Sequence, residues 1–337
     1  MAQPYESKKK PTLKTISSLT GLAVPTVSRA LNDAPDIGKE TKKRVREVAR
    51  EIGYVPNRAG VRLRTGRTNV IALVMSTEYD IMNHTSSLIT SISGGLRGTN
   101  FHLNVTPYFP VDDPMAPVRY VVETGSADAI ILNQTKPDDP RIRYLLERGF
   151  PFATHGRTNL ADKHPYFDFD NRIFGAKAVD MLADRGRKNL LFITAPFSQF
   201  YGREMIEGSQ EMAKELGVNL CIPEHITSDN TSAEIKEFVA QKVAQHPEID
   251  GIITASTNSC MASVAGMETQ NRFVGPDMDI CAKEAIPFLT LFREGILAFQ
   301  ENVHMAGDFL AKAAVQAIRD PEKAPLQQIE TPEFPDI

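Results

Sequence analysis

TLKTISSLTGLAVPTVSRALNDAPDIGKETKKRVREVAREIGYVPNRAGVRLRTGR, residues 12–67, carries helical periodicity in three successive places. Thr12 can cap a first helix that sets Leu13, Ile16 and Leu19 on one face. Gly21 follows, where a tight turn between helices calls for a residue that tolerates positive φ. A second helix, about Val24 to Leu31, buries Val27, Ala30 and Leu31 and turns Pro25, Thr26, Ser28 and Arg29 outward. A third, about Lys39 to Ile52, buries Val45, Val48, Ala49 and Ile52 and exposes Lys42, Lys43, Arg46 and Arg50. Two helices joined by a short Gly-containing turn, with a third beneath them, form a helix-turn-helix. Such a motif lays its second helix in the DNA major groove. A plain three-helix bundle would show the same periodicity with merely solvated charges. The outward Thr, Ser and Arg decide for DNA, because they project donors where a recognition helix needs them.

Charge points the same way. Residues 1–67 hold fifteen Lys or Arg and six Asp or Glu, a net +9, although the whole chain is at −4. The remainder therefore keeps 23 of the 38 basic and 36 of the 42 acidic side chains, a net −13. A polyanion-binding head on an acidic body is the simplest reading.

Five segments recur in order: T-L-x-x-I, T-V-S-R-A-L-N, T-x-x-R-V, G-Y-V-P-N-R and L-R-T-G-R-T-N. Together they resemble the lac repressor (LacI/GalR) family. The resemblance implies base reading by Val24, Pro25 and Arg29, with Thr26 and Ser28 on phosphates, and Thr12 and Asn32 among the DNA-facing positions. It also implies a hinge helix over about 57–64, folding only when two copies meet on DNA. There Asn57, Arg58, Gly60 and Arg64 would face DNA, and Leu63 would wedge into the minor groove. Pro56 and Asn57 are helix-start signals, yet so short a segment is not stable alone. A wedge between base steps costs a few kcal/mol, offset by the contacts that bent DNA permits. Arg58, Arg62, Arg64 and Arg67 supply positive charge. Two departures from the family pattern are Ala23, where a capping Ser is usual, and Gly60, where Ala is common. Each costs about 1 kcal/mol of helix stability.

The other 270 or so residues read as α/β. Apolar strand-like runs occur at 70–75, 102–107, 129–132, 189–194, 251–254 and 278–281. Helical patterns lie between them, at about 84–98, 116–123, 139–148, 172–185, 202–216, 232–245 and 258–268. Such alternation implies parallel sheets flanked by helices. The resemblance extends here to a two-lobed, periplasmic-binding-protein-like domain, with the chain crossing between lobes three times. The expected layout is thus an all-α headpiece and hinge over 1–67 and an effector-binding and dimerisation domain over 68–337. Its N-lobe would hold about 68–166 plus 300–318, and its C-lobe about 168–293. Ligands of open parallel sheets bind outside the carboxyl ends of the strands, which places the cleft between the lobes.

Carried over one position at a time, the resemblance implies effector contacts from Asn133, His155, Arg157, Tyr166, Asp168, Asn258, Glu284 and Glu301. Tyr166 would be the stacking aromatic. The family's ligand-binding Arg aligns with Met205, leaving Arg203 as a substitute, and Ala282-Lys283-Glu284-Ala285 departs from the usual G-[FY]-D-D. Amides, carboxylates and an aromatic suit a polyhydroxylated ligand, since each desolvated hydroxyl needs a donor and an acceptor. A sugar or glycoside is therefore expected, with a purine or sugar phosphate as the alternative.

Catalysis is not expected. Gly94, Gly95 and Gly98 form no phosphate loop, the seven His include no HExxH, and no G-x-S-x-G elbow occurs. No cofactor or metal is expected either. Three Cys without pairable spacing point to a reducing compartment, hence the cytoplasm. MAQPYESKKK is no signal peptide, and no run of 18 apolar residues could span a membrane. A single recognition helix reads few base pairs, so a homodimer on palindromic double-stranded operator DNA is expected. The C-terminal ETPEFPDI has no heptad that would add a tetramer. A freestanding sugar-binding protein is the rival reading, and the basic head argues against it.

Overall fold

The computed structural model describes residues 10–55, 60, 62, 66–77 and 82–333. Contacts divide the chain at Thr68/Asn69 into two compact units.

The first unit holds α1 (Leu13–Thr20), α2 (Val24–Leu31) and α3 (Lys39–Glu51). Thr12 caps α1 reciprocally with Thr15, each side chain accepting from the other's backbone N–H. The helix ends at Gly21, whose φ of 70° is the left-handed turn that glycine allows. Ala23 gives α2 no side-chain cap, but Pro25 fits the first turn because its missing N–H needs no partner there. Ile16, Val27, Ala30, Val45 and Ala49 form the buried centre, with Leu13, Leu31, Val48 and Ile52 around it. One expected core position differs: Leu19 is 57% exposed, and Thr20 is buried instead, donating its hydroxyl to Ile16 O at 2.8 Å. The Arg44 guanidinium donates to Thr20 O at 2.8 Å, tying α3 to the end of α1.

The second unit contains two all-parallel sheets. The first comprises β1 (Val70–Ser76), β2 (His102–Tyr108), β3 (Ala129–Leu132), β4 (Phe152–His155), β5 (Tyr166–Phe169) and a C-terminal β11 (Gln327–Glu330). Its order is β11-β5-β4-β3-β1-β2. The second comprises β6 (Asn189–Ile193), β7 (Asn219–Cys221), β8 (Gly251–Thr254), β9 (Asp279–Glu284) and β10 (Leu297–Gln300), in the order β10-β9-β8-β6-β7. Helices cover both faces of each, as parallel sheets require. On the first sheet, α4 (Met82–Gly95) and α12 (Val303–Arg319) bury one face; α5 (Met115–Thr124) and α6 (Pro140–Glu147) bury the other. On the second, the pairs are α7 (Asn171–Asp184) with α8 (Phe200–Leu216), and α9 (Ser232–Gln245) with α10 (Thr257–Glu268). A short α11 (Leu289–Phe292) precedes β10.

The chain leaves the first lobe between β5 and α7 and returns between β10 and α12; because β11 then joins the first sheet beside β5, the described residues cross between lobes twice, not the three times expected. Residues 168 and 169 therefore belong to the first sheet, and the second lobe runs through β10 to 300, past 293. Phe169 sits at the crossing, its ring packed with Phe174 and the second lobe's core.

Candidate functional site

Two surfaces gather the residues with chemistry. On the first unit, burial of Val27 and Ala30 turns the other side of α2 outward. Arg29 and Asn32 are exposed there, and Val24, Thr26 and Ser28 are half-buried beside exposed Pro25. The Arg29 side chain is 58% exposed and pairs with Asp36 in the loop before α3. Lys42 and Arg46 both pair with Asp33. Gly60 and Arg62 are helical and exposed. Asn57, Arg58, Leu63 and Arg64 lie outside the described residues.

On the second unit, strand polarity builds a cavity between the two sheets. Asn133 follows β3, His155 ends β4, Asp168 is in β5, Asn258 follows β8, Glu284 ends β9 and Glu301 follows β10. All six line one cavity with about 930 Å³ of empty space, its open mouth included. Carboxyl ends of parallel strands converge there because every crossover helix returns the chain to the opposite edge.

Backbone geometry holds these groups. The Arg141 guanidinium, 3% exposed, donates to Asn133 O and Gln134 O at 3.2 and 3.0 Å. It is fixed by Asp139, whose carboxylate also caps α6. Gln134 takes a left-handed φ of 50°, so this charged pair pins a strained loop under the cavity. Burial pushes the Asp139 carboxyl up, but hydrogen bonding and charge from Arg141 outweigh it and leave it below its ordinary value. Gly156, at φ 108°, must be glycine: a Cβ there would stand 2.6 Å from Thr135 Oγ1.

Glu301 is the electrostatic centre. Its Oε2 lies 2.6 Å from Lys283 Nζ; its Oε1 lies 3.4 Å from His84 Nε2 and 3.2 Å from His155 Nε2. The His155 approach lacks the alignment of a hydrogen bond, so that buried nitrogen has no hydrogen-bond partner among the described residues. Burial raises the Glu301 carboxyl, but Lys283 and then His84 override it and hold it well below the usual carboxylate range. Burial drives the His84 ring below its ordinary value although the Glu301 carboxylate beside it pulls the other way. Lys283 also donates to Asn171 Oδ1 at 3.1 Å and lies 4.5 Å above the Phe169 ring.

Not every expected contact reaches the cavity. Arg157 stands behind it as a clamp between lobes, with Nε 2.7 Å from Asp168 and Nη2 3.1 Å from Glu204 of α8. Burial nevertheless raises the Asp168 carboxyl despite that partner. Tyr166 opens β5 at the opposite end of the strand, edge-on to His164, and cannot stack on a ligand here. Arg203 is exposed and donates to Phe197 O, because α8 turns Gly202 and Met205 inward instead. Glu284 lines the cavity, but one of its oxygens accepts from the backbone N–H groups of Phe288 and Leu289. Asn258 accepts from the Ser232 hydroxyl at 2.8 Å.

Sequence reasoning missed His84, Lys283, Asn171, Tyr201, Ser228 and Asp229, and the aromatic walls are Phe169 and Tyr201. Lys283 had a signal: a cation two residues beyond the apolar run MDIC, inside a strand buried throughout. His84 had none, since its partners are remote in sequence.

Comparisons with known proteins agree with this architecture. Residues 113–324 match the family described as periplasmic binding proteins and sugar binding domain of LacI family. Residues 12–57 match the bacterial regulatory proteins, lacI family. The HTH-type transcriptional regulator AglR of Rhizobium meliloti is 27% identical over 327 residues, covering 94% of this chain and 90% of that one. RafR of Escherichia coli, another HTH-type transcriptional regulator, is 26% identical, with 96% of each covered. Among solved structures, the lac repressor dimer bound to operator and the anti-inducer ONPF superposes with a TM-score of 0.83 at 13% identity, covering 97% of this chain and 98% of that one. A CelR–cellobiose complex superposes with a TM-score of 0.70 at 20% identity, covering 96% and 98%. With a basic helix-turn-helix, a two-lobed body and a family match in each, the chain belongs to the LacI family and is a DNA-binding transcriptional regulator, not an enzyme.

Proposed function

We propose that this regulator acts in the cytoplasm as a homodimer on a palindromic operator, gated by a neutral sugar or glycoside in the inter-lobe cavity. The observation that carries the ligand class is the state of the cavity's cations. Lys283 is neutralised by Glu301, and Arg157, behind the wall, by Asp168 and Glu204. A phosphate entering would face Asp168, Glu284 and Glu301 with no cation in that set left to meet it, a desolvation cost that neutral hydroxyls avoid. Asn133 Oδ1 is buried with no hydrogen-bond partner among the described residues, as an acceptor awaiting a ligand hydroxyl would be. Phe169 and Tyr201 offer rings to the apolar face of a pyranose. The related CelR structure was solved with cellobiose, a ligand of this class.

The recognition surface is the outward side of α2, with Arg29 on bases, Val24 and Pro25 beside it, Thr26 and Ser28 on phosphates, and Thr12 and Asn32 flanking. Asn57, Arg58, Gly60, Leu63 and Arg64 form the hinge contacts. Pairing of two bodies is supported by the edge strand β2 and the exposed apolar side chains Val105, Phe109, Val111 and Tyr120 around it. No helix among the described residues is long and apolar enough to cross a membrane.

Calorimetry with a panel of neutral disaccharides, sugar phosphates and purines tests the ligand class. Neutral sugars should bind to the wild type and fail with Asn133→Ala and Asn258→Ala, while operator affinity without ligand survives in both. Binding of the phosphorylated compounds alone would overturn the reading.

A further inference from the structure

We propose that His84, His155 and Glu301 form a site for one divalent ion of the zinc class, with its remaining coordination position open to the cavity. The three groups come from α4, the end of β4 and the crossover after β10, and their ligand atoms all lie within 4.8 Å of one another. The distances suit a shared ion. Bonds of about 2.0–2.2 Å to nitrogen and oxygen give tetrahedral edges of ~3.3–3.6 Å, and the two imidazole nitrogens stand 3.4 and 3.2 Å from Glu301 Oε1.

A purely structural cluster would be expected to satisfy its own nitrogens. Here His155 Nε2 is buried without a hydrogen-bond partner among the described residues. Its ring is held parallel to Phe167 at 6.2 Å and 5.0 Å from the His84 ring, so its direction is fixed by packing. The carboxylate is oriented as well. Lys283 holds Oε2 at 2.6 Å and is itself anchored by Asn171, which leaves Oε1 for the imidazoles. Outer contacts of this kind orient metal-binding carboxylates. Two imidazoles and one carboxylate select zinc-like ions over calcium or magnesium, which prefer all-oxygen sites.

The site does not depend on which effector the cavity takes. Occupancy would tie two elements of the first lobe to the crossover, giving the ion a direct influence on lobe geometry.

The test uses tag-free full-length protein, stripped with a chelator and titrated with Co²⁺ in the absence of sugar. One equivalent per chain should give the visible absorption of tetrahedral cobalt, and Zn²⁺ should abolish it. His84→Gln, His155→Gln and Glu301→Gln should each weaken binding by about 100-fold or more, with circular dichroism confirming the fold. Anomalous scattering from cobalt-soaked wild-type crystals should place the ion among the three residues. Absent absorption, undiminished binding in all three variants, or an ion located elsewhere would overturn the proposal. Sugar titration in excess chelator separates the two readings. Sugar binding with no cobalt binding sinks the ion and leaves the effector, and the reverse sinks the effector and leaves the ion.

Discussion

Arg29 and Arg157 use the same guanidinium to opposite ends. Arg29 is outward, and its pair with Asp36 is exposed on both sides, an arrangement worth little in water. DNA can therefore take the side chain at small cost. Arg29→Ala should lose about 1–3 kcal/mol of specific binding while non-specific binding changes less. Competition gel shifts with scrambled operator would check this, and an unchanged operator preference would remove Arg29 from base reading. Arg157 is 19% exposed and spans the lobes from Asp168 to Glu204. Removing it strands a buried carboxylate, so Arg157→Ala should destabilise the body by roughly 3 kcal/mol. Asp168→Asn placed on top should restore part of that loss, a coupling that a double-mutant cycle in urea would measure. The importance of residue 157 was implied by the family resemblance, but its job was not. Glu204 reaches it only because α8 and β4 meet across the cleft, and no local pattern records that approach.

Helices were easier to read than strands, for a reason visible in which ones escaped. Five strands fell outside the expected runs, β4, β5, β7, β10 and β11, and the last three are sheet edges of three or four residues. Half-exposed and partly polar, they lack the unbroken apolar runs that marked β1, β3, β6 and β8. Leu19 misled in the other direction: it keeps the helical spacing, but α2 and α3 pack over the face that carries Thr20. Helix glycines hid a further element-scale feature. A Cβ on Gly208 would lie 2.0 Å from Arg172 O, and one on Gly175 would lie 2.2 Å from Met205 O, so α7 and α8 touch backbone to backbone. Gly208→Ala gains up to about 1 kcal/mol of helix propensity, yet forces the two helices apart. Overpacking of this kind costs about 1–3 kcal/mol, so the steric clash should outweigh the gain in propensity. The melting temperature should fall by a few degrees; a rise would mean that the pair separates freely.

At the scale of the whole molecule, charge separates the tasks. The first 67 residues carry +9 and the rest −13, which confines polyanion attraction to the head. Log operator affinity should fall against log salt with a slope near −0.9 per phosphate neutralised, and a flat response would deny a charged interface. The body's own pH response follows from groups buried within the second unit. His164 is fully buried, with ring nitrogens 3.3 Å from Thr154 Oγ1 and 3.0 Å from Thr158 Oγ1. Burial lowers its pKa below the ordinary 6.5, as it does for His84. The unfolded chain then binds more protons than the folded one below about pH 6.5, so stability falls as pH drops through that value. The loss ends at the lower folded pKa. Asp139 acts in a more acidic window, because its lowered pKa adds stability above the ordinary carboxylate range that disappears on protonation. The chain has no Trp, so circular dichroism is the probe of choice. The urea midpoint of the metal-free body should be level above about pH 7.5 and fall between pH 7 and 5.5, before a second fall in acid. His164→Gln should shallow the first limb without abolishing it, since His84 still contributes. A midpoint that rises between pH 7.5 and 5.5 would show that the buried imidazoles are held charged, with folded pKa values raised instead of lowered.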